Sequence, residues 1–436
     1  MKKTAFFAIF SPHNLLTFVT RKSIINLLFY YSIVWFAGCD VVRNVLIVSH
    51  TMEIGGAEKA LLGLLGVFDY TKYNVDLFLY HHEGELLSFL PKEVNLLPEN
   101  KSYASLAKPL KQVVKNRAFG TLIGRYKGKN AANEYIAGNR VKDGSYVYID
   151  YSHRFTEPFM PKISDKEYDL VISFLTPHYF AAKKCKGKKK IAWIHTDYSH
   201  IEIDVASELD MWSAYDCIVS ISEKVTEAFL SKFPSLEDRI VLIKNIHPAE
   251  LIKKQAEESD VTDEMPDDGF IKFLSVGRYS DAKNFDNVPD ICSRLDNVKW
   301  YIIGYGPDEE LIKKKIAEAG MGERVILLGK KANPYPYFKA CDFYIQPSRY
   351  EGNAVTVNEA LILGKKVAIT NYATAASQID NGVNGVIVPL ENEKCAAGLN
   401  AFIKDKELQE KITQNIENSD FSNSGEIKKL IEILEG

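Results

Sequence analysis

No two cysteines in the 436-residue sequence are close enough to suggest a shared site. Cys39, Cys185, Cys217, Cys292, Cys341 and Cys395 lie far apart with no C-x-x-C among them, which argues against a zinc site or a disulfide framework. A reducing, cytosolic setting fits that usage. An excess of one charge is lacking as well: 54 Lys and Arg stand against 57 Asp and Glu, a formal net charge of −3. No whole-chain basic field therefore points to nucleic acid. A dinucleotide fingerprint is also missing. The nearest stretch, "GYGPDEE", has Glu309 where the third glycine of G-x-G-x-x-G belongs, which removes a nicotinamide dehydrogenase. Long apolar runs are scarce, and the one from Ser23 to Cys39, "SIINLLFYYSIVWFAGC", has 17 residues, the short end for a membrane span. Three readings of residues 1–43 compete: a membrane anchor, a lipoprotein signal ending at Cys39, and a segment outside the folded body.

What the chain does contain is one pattern repeated twice. "NVLIVSH" is a short, β-branched apolar run of the kind that forms a buried parallel strand, and after the turn "TMEIGG" comes a helical stretch and then the strand "YNVDLFLY". Further strands are expected at "DLVISF", "KIAWIH", "CIVSIS" and "RIVLIKN". An acidic, helix-breaking segment, "EESDVTDEMPDDG", then precedes a second series: "FIKFLSVGR", "VKWYIIG", "RVILLG", "DFYIQPS", "KKVAIT" and "NGVIVP". Alternation of this kind predicts two α/β, doubly wound Rossmann-like domains, 44–245 and 246–436. The last amphipathic helix, near Ile427 to Leu434, is expected to pack back on the first domain.

Ligands of open parallel sheets bind beyond the carboxyl ends of the strands, so candidates should lie just after strands. Gly55 and Gly56 follow the first strand and His195 closes the fourth. Arg278 and Lys283 share the loop after "FLSV", where an Arg fork and a Lys point charge can converge on a diphosphate. In "SRYEGNAVTVNEALILGKKV", Gly352 opens a helix whose first-turn amides form an anion site. Glu351 stands beside that site and Glu359 about two turns inside. Carboxylates accept hydrogen bonds from pairs of hydroxyls, which suits sugar and ribose.

With these residues in place, the body from about Asn44 to Gly436 resembles glycosyltransferase family 4. The carriers of the likeness are the E-x7-E pair Glu351 and Glu359, "GRYSDAKN", "IGYGPDEELIK" and "NGVNGVIVP". The resemblance implies a GT-B fold, two Rossmann-like domains facing across a cleft, and a retaining, metal-independent transfer of a hexose. Arg278 and Lys283 would hold the donor diphosphate, helped by the amides of Asn353, Ala354 and Val355. Glu351 would hold the donor sugar and Glu359 the ribose. Gly55 and Gly56 would approach the phosphates, Leu328 and Gly329 would flank the base, and His195 would contact the sugar near the reacting carbon. Asn353 and Ala354 depart from the family's usual aromatic-then-small pair, which leaves the donor sugar open. The donor is a substrate and no cofactor is implied. Uridine is the favoured base.

The acceptor side is written in charge. From Asn100 to Asn133 there is no Asp or Glu, while eight Lys and Arg alternate with apolar residues, and a second basic run spans Lys183 to Lys190. Such a surface suits an anionic membrane, and with it a lipid-linked saccharide acceptor at the cytoplasmic face. The alternatives are a GT-B nucleotide-sugar epimerase or hydrolase, and a non-catalytic partner subunit.

Overall fold

The computed structural model describes residues 42–436 apart from 200, 248 and 353, and two short strands, Ala8–Ile9 and Thr17–Phe18, paired antiparallel. The apolar segment Ser23 to Cys39 lies outside the described residues.

Seven parallel strands build the first sheet: β1 (Arg43–Ser49), β2 (Tyr73–Leu79), β3 (Asn95–Leu96), β4 (Glu167–Ser173), β5 (Lys186–Ile194), β6 (Cys217–Ser220) and β7 (Ile240–Leu242). Their spatial order is β3-β2-β1-β4-β5-β6-β7. Six more form the second sheet: β8 (Ile271–Val276), β9 (Val298–Ile303), β10 (Val325–Gly329), β11 (Phe343–Gln346), β12 (Lys366–Thr370) and β13 (Val386–Val388). These run β10-β9-β8-β11-β12-β13, again all parallel. Helices cover the sheets, which is why Val45, Leu46, Ile47, Leu170, Val171 and Ile172 read as unbroken apolar runs and are fully buried. The chain therefore has the GT-B architecture. In each sheet the strand order reverses at one place, between β1 and β4 and between β8 and β11. Those switch points are where loops splay apart and leave room for a ligand.

Six helices bear on the site or on the surface beside it: α1 (Gly56–Gly66), α2 (Phe119–Asn139), α3 (Ser145–Thr156), α4 (Ala249–Ala256), α5 (Tyr335–Ala340) and α6 (Val355–Ile362). A helical hairpin, α2 with α3, is inserted between β3 and β4. It packs closely because Gly124 and Gly128 face α3: a Cβ at Gly124 would come within 2.4 Å of the Thr156 Cα, and one at Gly128 within 2.6 Å of the Tyr151 carbonyl oxygen. Helix α4 packs on α5 and α6 of the second domain, so the chain has crossed over before the acidic segment begins. The final helix, α7 (Ile427–Glu435), lies against the first sheet, burying Leu430 and Leu434 in that core, and the Lys189 ammonium donates to the Ile433 carbonyl at 2.7 Å. No helix among the described residues is long and apolar enough to cross a membrane.

Candidate active site

A cleft of about 600 Å³ opens between the two sheets, a size suited to a small ligand. One wall is the turn after β1 with the start of α1, Ile54 to Lys59; the other gathers the loops after β8, β9, β10 and β11. Lys59, Arg278, Lys283, Lys330 and Lys331 line it, and Glu351 is the one carboxylate among its lining residues.

The Lys283 and Glu351 loops are pinned to each other. Asn284, left-handed at φ 60° and buried, donates from Nδ2 to the Pro347 carbonyl at 2.9 Å. Arg349 grips Asp286 with both guanidinium nitrogens at 2.9 and 2.8 Å, and its backbone N–H donates to the Ala282 carbonyl at 2.8 Å. This bidentate fork holds the two strand-end loops as one platform. On it, Lys283 Nζ donates to Glu351 Oε1 at 2.5 Å, and the same oxygen accepts from Ser348 Oγ at 2.6 Å and Gln346 Nε2 at 3.0 Å. Gln346 and Ser348 are fully buried, so the carboxylate is aimed from beneath.

Four of the five cations are already paired: Lys59 with Glu359, Lys283 with Glu351, Lys330 with Glu85 and Lys331 with Glu264. The guanidinium of Arg278 is exposed and has no ion-pair partner among the described residues. An anion entering the cleft therefore meets one unspent charge and several that can be shared.

The structure brings Gly55, Gly56, Arg278, Lys283, Glu351, Ala354 and Val355 together around the cleft. Other residues singled out by the sequence sit elsewhere. Glu359 is buried behind the cleft, where its Oε1 accepts from Lys59 Nζ at 2.8 Å and Tyr335 Oη at 2.9 Å, while Oε2 is buried with no hydrogen-bond partner. Leu328 packs on the second core and Gly329 accepts the Gly304 N–H at 2.9 Å; the chain after β10 meets the cleft through Lys330 and Lys331 instead. Gly352 is not among the lining residues, and Asn353 lies outside the described residues.

Ala354 is a correction. Its N–H does not point free into the cleft but donates to Gln378 Oε1 at 3.0 Å, and its carbonyl accepts from Gln378 Nε2 at 3.1 Å. The anion site at the head of α6 is thus narrowed to the first-turn amides that follow, those of Val355 and Thr356. His195 also stands apart from the cleft lining. Its ring lies 4.5 Å from that of Phe174 and stacks on Trp193 at 6.3 Å, its Nε2 has no partner, and burial pushes its pKa down to about 3. It is a neutral imidazole at pH 7.

The second basic run is partly tied down. Lys183 and Lys184 pair with Glu157 and Lys188 with Asp169, while Lys189 and Lys190 donate to backbone carbonyls. Lys183, Lys186 and Lys188 are nonetheless exposed, so part of the run still faces outward. The first run is different. Lys111, Lys115, Arg117, Lys127 and Lys129 are exposed, and among them stand Leu110, Val114, Phe119, Ile123 and Tyr126, each 45–69 % exposed. Arg125 and Lys108 are the exceptions, Arg125 donating to the Ser105 and Lys108 carbonyls and Lys108 pairing with Glu83.

Sequence reasoning missed Lys59, Lys330, Lys331 and Tyr335. Lys59 lies in "GGAEKALL", three residues past Gly56, and the two lysines directly follow "VILLG". A scan for cations after strands and at helix starts would have found all three lysines.

Residues 257–419 match the family model described as glycosyl transferases group 1. Among relatives, the chain is 30 % identical over 139 residues to the N-acetylgalactosamine-N,N'-diacetylbacillosaminyl-diphospho-undecaprenol 4-alpha-N-acetylgalactosaminyltransferase of Campylobacter jejuni, covering 31 % of this chain and 38 % of that protein. It is 27 % identical over 244 residues to an uncharacterized 41.2 kDa protein in the cps region of Klebsiella pneumoniae, 53 % of this chain and 60 % of that one. The chain thus spans less than two thirds of either relative. In fold it is similar to Anabaena HepE in complex with UDP-glucose, with a TM-score of 0.61 at 16 % identity over 90 % of this chain and 99 % of that one.

Proposed function

We propose that this chain, a GT-B protein whose residues 257–419 carry the glycosyl transferases group 1 domain, is a retaining glycosyltransferase. It moves a hexose from a nucleoside-diphosphate sugar, UDP-linked by preference, to a lipid-linked saccharide in surface polysaccharide synthesis. The observation that carries the reading is the cleft in which five cations and the head of α6 surround one carboxylate. The Campylobacter relative is named for an undecaprenol-linked acceptor, the Klebsiella one for its place in a cps region, and the solved HepE holds UDP-glucose, all of which favour the same chemistry.

In this reading the C1–O bond to the diphosphate breaks as a new C1–O bond to the acceptor hydroxyl forms on the same face. The acceptor's proton passes to the leaving diphosphate. Negative charge grows on the departing oxygens, and fixed cations aimed there lower the barrier without needing a metal. Arg278 and Lys283 supply that charge, with the Val355 and Thr356 amides, and Glu351 receives sugar hydroxyls. An epimerase or hydrolase is less well supported, because hydrolysis of a glycosidic bond ordinarily works with two carboxylates flanking it, and Glu359 is buried behind the cleft. A non-catalytic subunit would have no use for so closely held a Lys283–Glu351 pair.

The test is thermal unfolding with nucleotides. A ligand at a hundred times its Kd stabilises the state that binds it by about 2.7 kcal/mol, so UDP should raise the Tm and AMP should not. No rise with either UDP or GDP would sink the reading.

Docking on an anionic membrane at the cytoplasmic face belongs to the same proposal. Leu110 and Val114 lie one turn apart, as do Phe119, Ile123 and Tyr126 on α2, with exposed lysines beside them. The tight glycine seam to α3 turns the opposite side of α2 inward, leaving this side to the outside. An apolar side chain entering lipid gains about 1.5–3 kcal/mol, so Phe119→Ser with Tyr126→Ser should weaken binding to phosphatidylglycerol vesicles by about tenfold or more. Co-sedimentation should also fall in high salt. Equal binding to neutral vesicles, or no loss in the double variant, would refute the docking surface.

A further inference from the structure

Behind the cleft a second, much smaller space of about 30 Å³ is lined by Lys59, His247, Tyr335 and Glu359 among others. Lys59 lines both spaces, so the two adjoin at its side chain. Glu359 is 1 % exposed, and both of its recorded donors, Lys59 from the first domain and Tyr335 from the second, go to Oε1. Oε2 is left buried without a donor, an expensive state for a polar oxygen. The room beside it holds about one small polar group, since a single water needs only about 10–15 Å³. A second cation there would stand against the ammonium of Lys59. A neutral hydroxyl donor would not.

Charged and titratable groups around the carboxylate are few: Lys59 itself, whose ammonium also sits 5.5 Å above the Tyr335 ring, and His247, which burial keeps neutral and whose Nε2 lies 3.1 Å from Asn358 Nδ2. Lys59 is the cation paired with Glu359 at 2.8 Å, and it arrives on the opposite domain.

We propose that Lys59 is a positioning residue of the nucleotide site: it holds the Glu359 carboxylate by Oε1 across the domain boundary so that Oε2 receives one ribose hydroxyl of the bound nucleotide. Nucleotide affinity then depends on the two domains being together, because half of the ribose grip is oriented from the other side. This rests on the donor reading above and names the residue through which that site senses closure.

The experiment is titration calorimetry on the full chain with UDP and with 2′,3′-dideoxy-UDP, GDP being run in parallel. A hydrogen bond to a charged group is worth about tenfold or more in affinity, so Lys59→Met should weaken UDP by about that factor. It should change dideoxy-UDP by less than about twofold, because that ligand offers Oε2 no hydroxyl, and the difference between the two ligands isolates the coupling. Lys59→Arg, keeping a cation, should recover most of the UDP affinity, and Glu359→Gln should lose the discrimination between the two ligands. Equal weakening of both ligands in Lys59→Met means a plain staple between domains and overturns the inference, as does no weakening of either. Wild-type protein that binds neither UDP nor GDP overturns the donor reading and this inference with it.

Discussion

Lys283→Ala is expected to lower kcat about 10²–10³-fold, the loss found when one fixed donor to a developing oxyanion is removed, while UDP affinity falls far less. The geometry gives Lys283 two duties. Its stem runs along Gly277, where a Cβ would meet Lys283 Cε at 3.1 Å, so the ammonium has a defined path to the cleft. At its tip it neutralises Glu351, whose Oε1 also takes the Ser348 and Gln346 donors. In the proposed transfer the same ammonium would face the new negative charge of the departing diphosphate with little rearrangement. In the alanine variant Glu351 keeps its two neutral donors, so the carboxylate stays seated while the cation beside it is gone. Lys283→Arg should recover only part of the rate, since a planar fork does not replace a point charge at 2.5 Å from Glu351. The measurement is transfer of labelled sugar by protein whose circular dichroism matches the wild type. Turnover within threefold of wild type would remove Lys283 from the reaction.

Much of this arrangement could be read in the sequence, for a definite reason. Strands buried on both faces become continuous apolar runs, so "NVLIVSH", "DLVISF" and "FIKFLSV" announced themselves, and the candidates just after them fell at strand ends. Arg278, Lys283 and Glu351 were found because each follows its strand within a few residues. What escaped depends on contacts between distant parts of the chain. Lys59 and Glu359 are 300 residues apart, and nothing local to either shows that they meet. Gln378 takes the Ala354 amide from a loop beyond β12, so a helix start that looked free in sequence was already occupied. The α2–α3 hairpin was seen only as a basic stretch, because its packing face is made of glycines, which carry no apolar signal. Part of the 183–190 run is likewise spent on partners that nothing local announces, Glu157, Asp169 and the Ile433 carbonyl, while Lys186 stays exposed.

Gly304→Ala is expected to cost about 1–3 kcal/mol of stability, as overpacking in a closed site does, and to abolish nucleotide binding at the same time. Gly304 follows β9 directly, where the ends of three strands converge: the Gly277 N–H donates to the Ile303 carbonyl at 3.0 Å, and the Gly304 N–H to the Gly329 carbonyl at 2.9 Å. The loop carrying Arg278 passes straight over this point. A Cβ at Gly304 would lie 1.9 Å from the Gly277 carbonyl oxygen and 2.8 Å from the Tyr279 ring, and one at Gly306 would lie 2.3 Å from the Tyr279 carbonyl oxygen. These neighbours are backbone and a buried ring, so they yield only by moving the loop, and Arg278 moves with it. The "GYG" turn therefore serves as the floor on which the Arg278 loop is laid. Gly322→Ala, where a Cβ meets nothing, is the control and should leave both quantities unchanged. Thermal unfolding and UDP titration of the two variants decide the matter. A Gly304→Ala protein that binds UDP as tightly as wild type would show that the Arg278 loop does not depend on the turn beneath it.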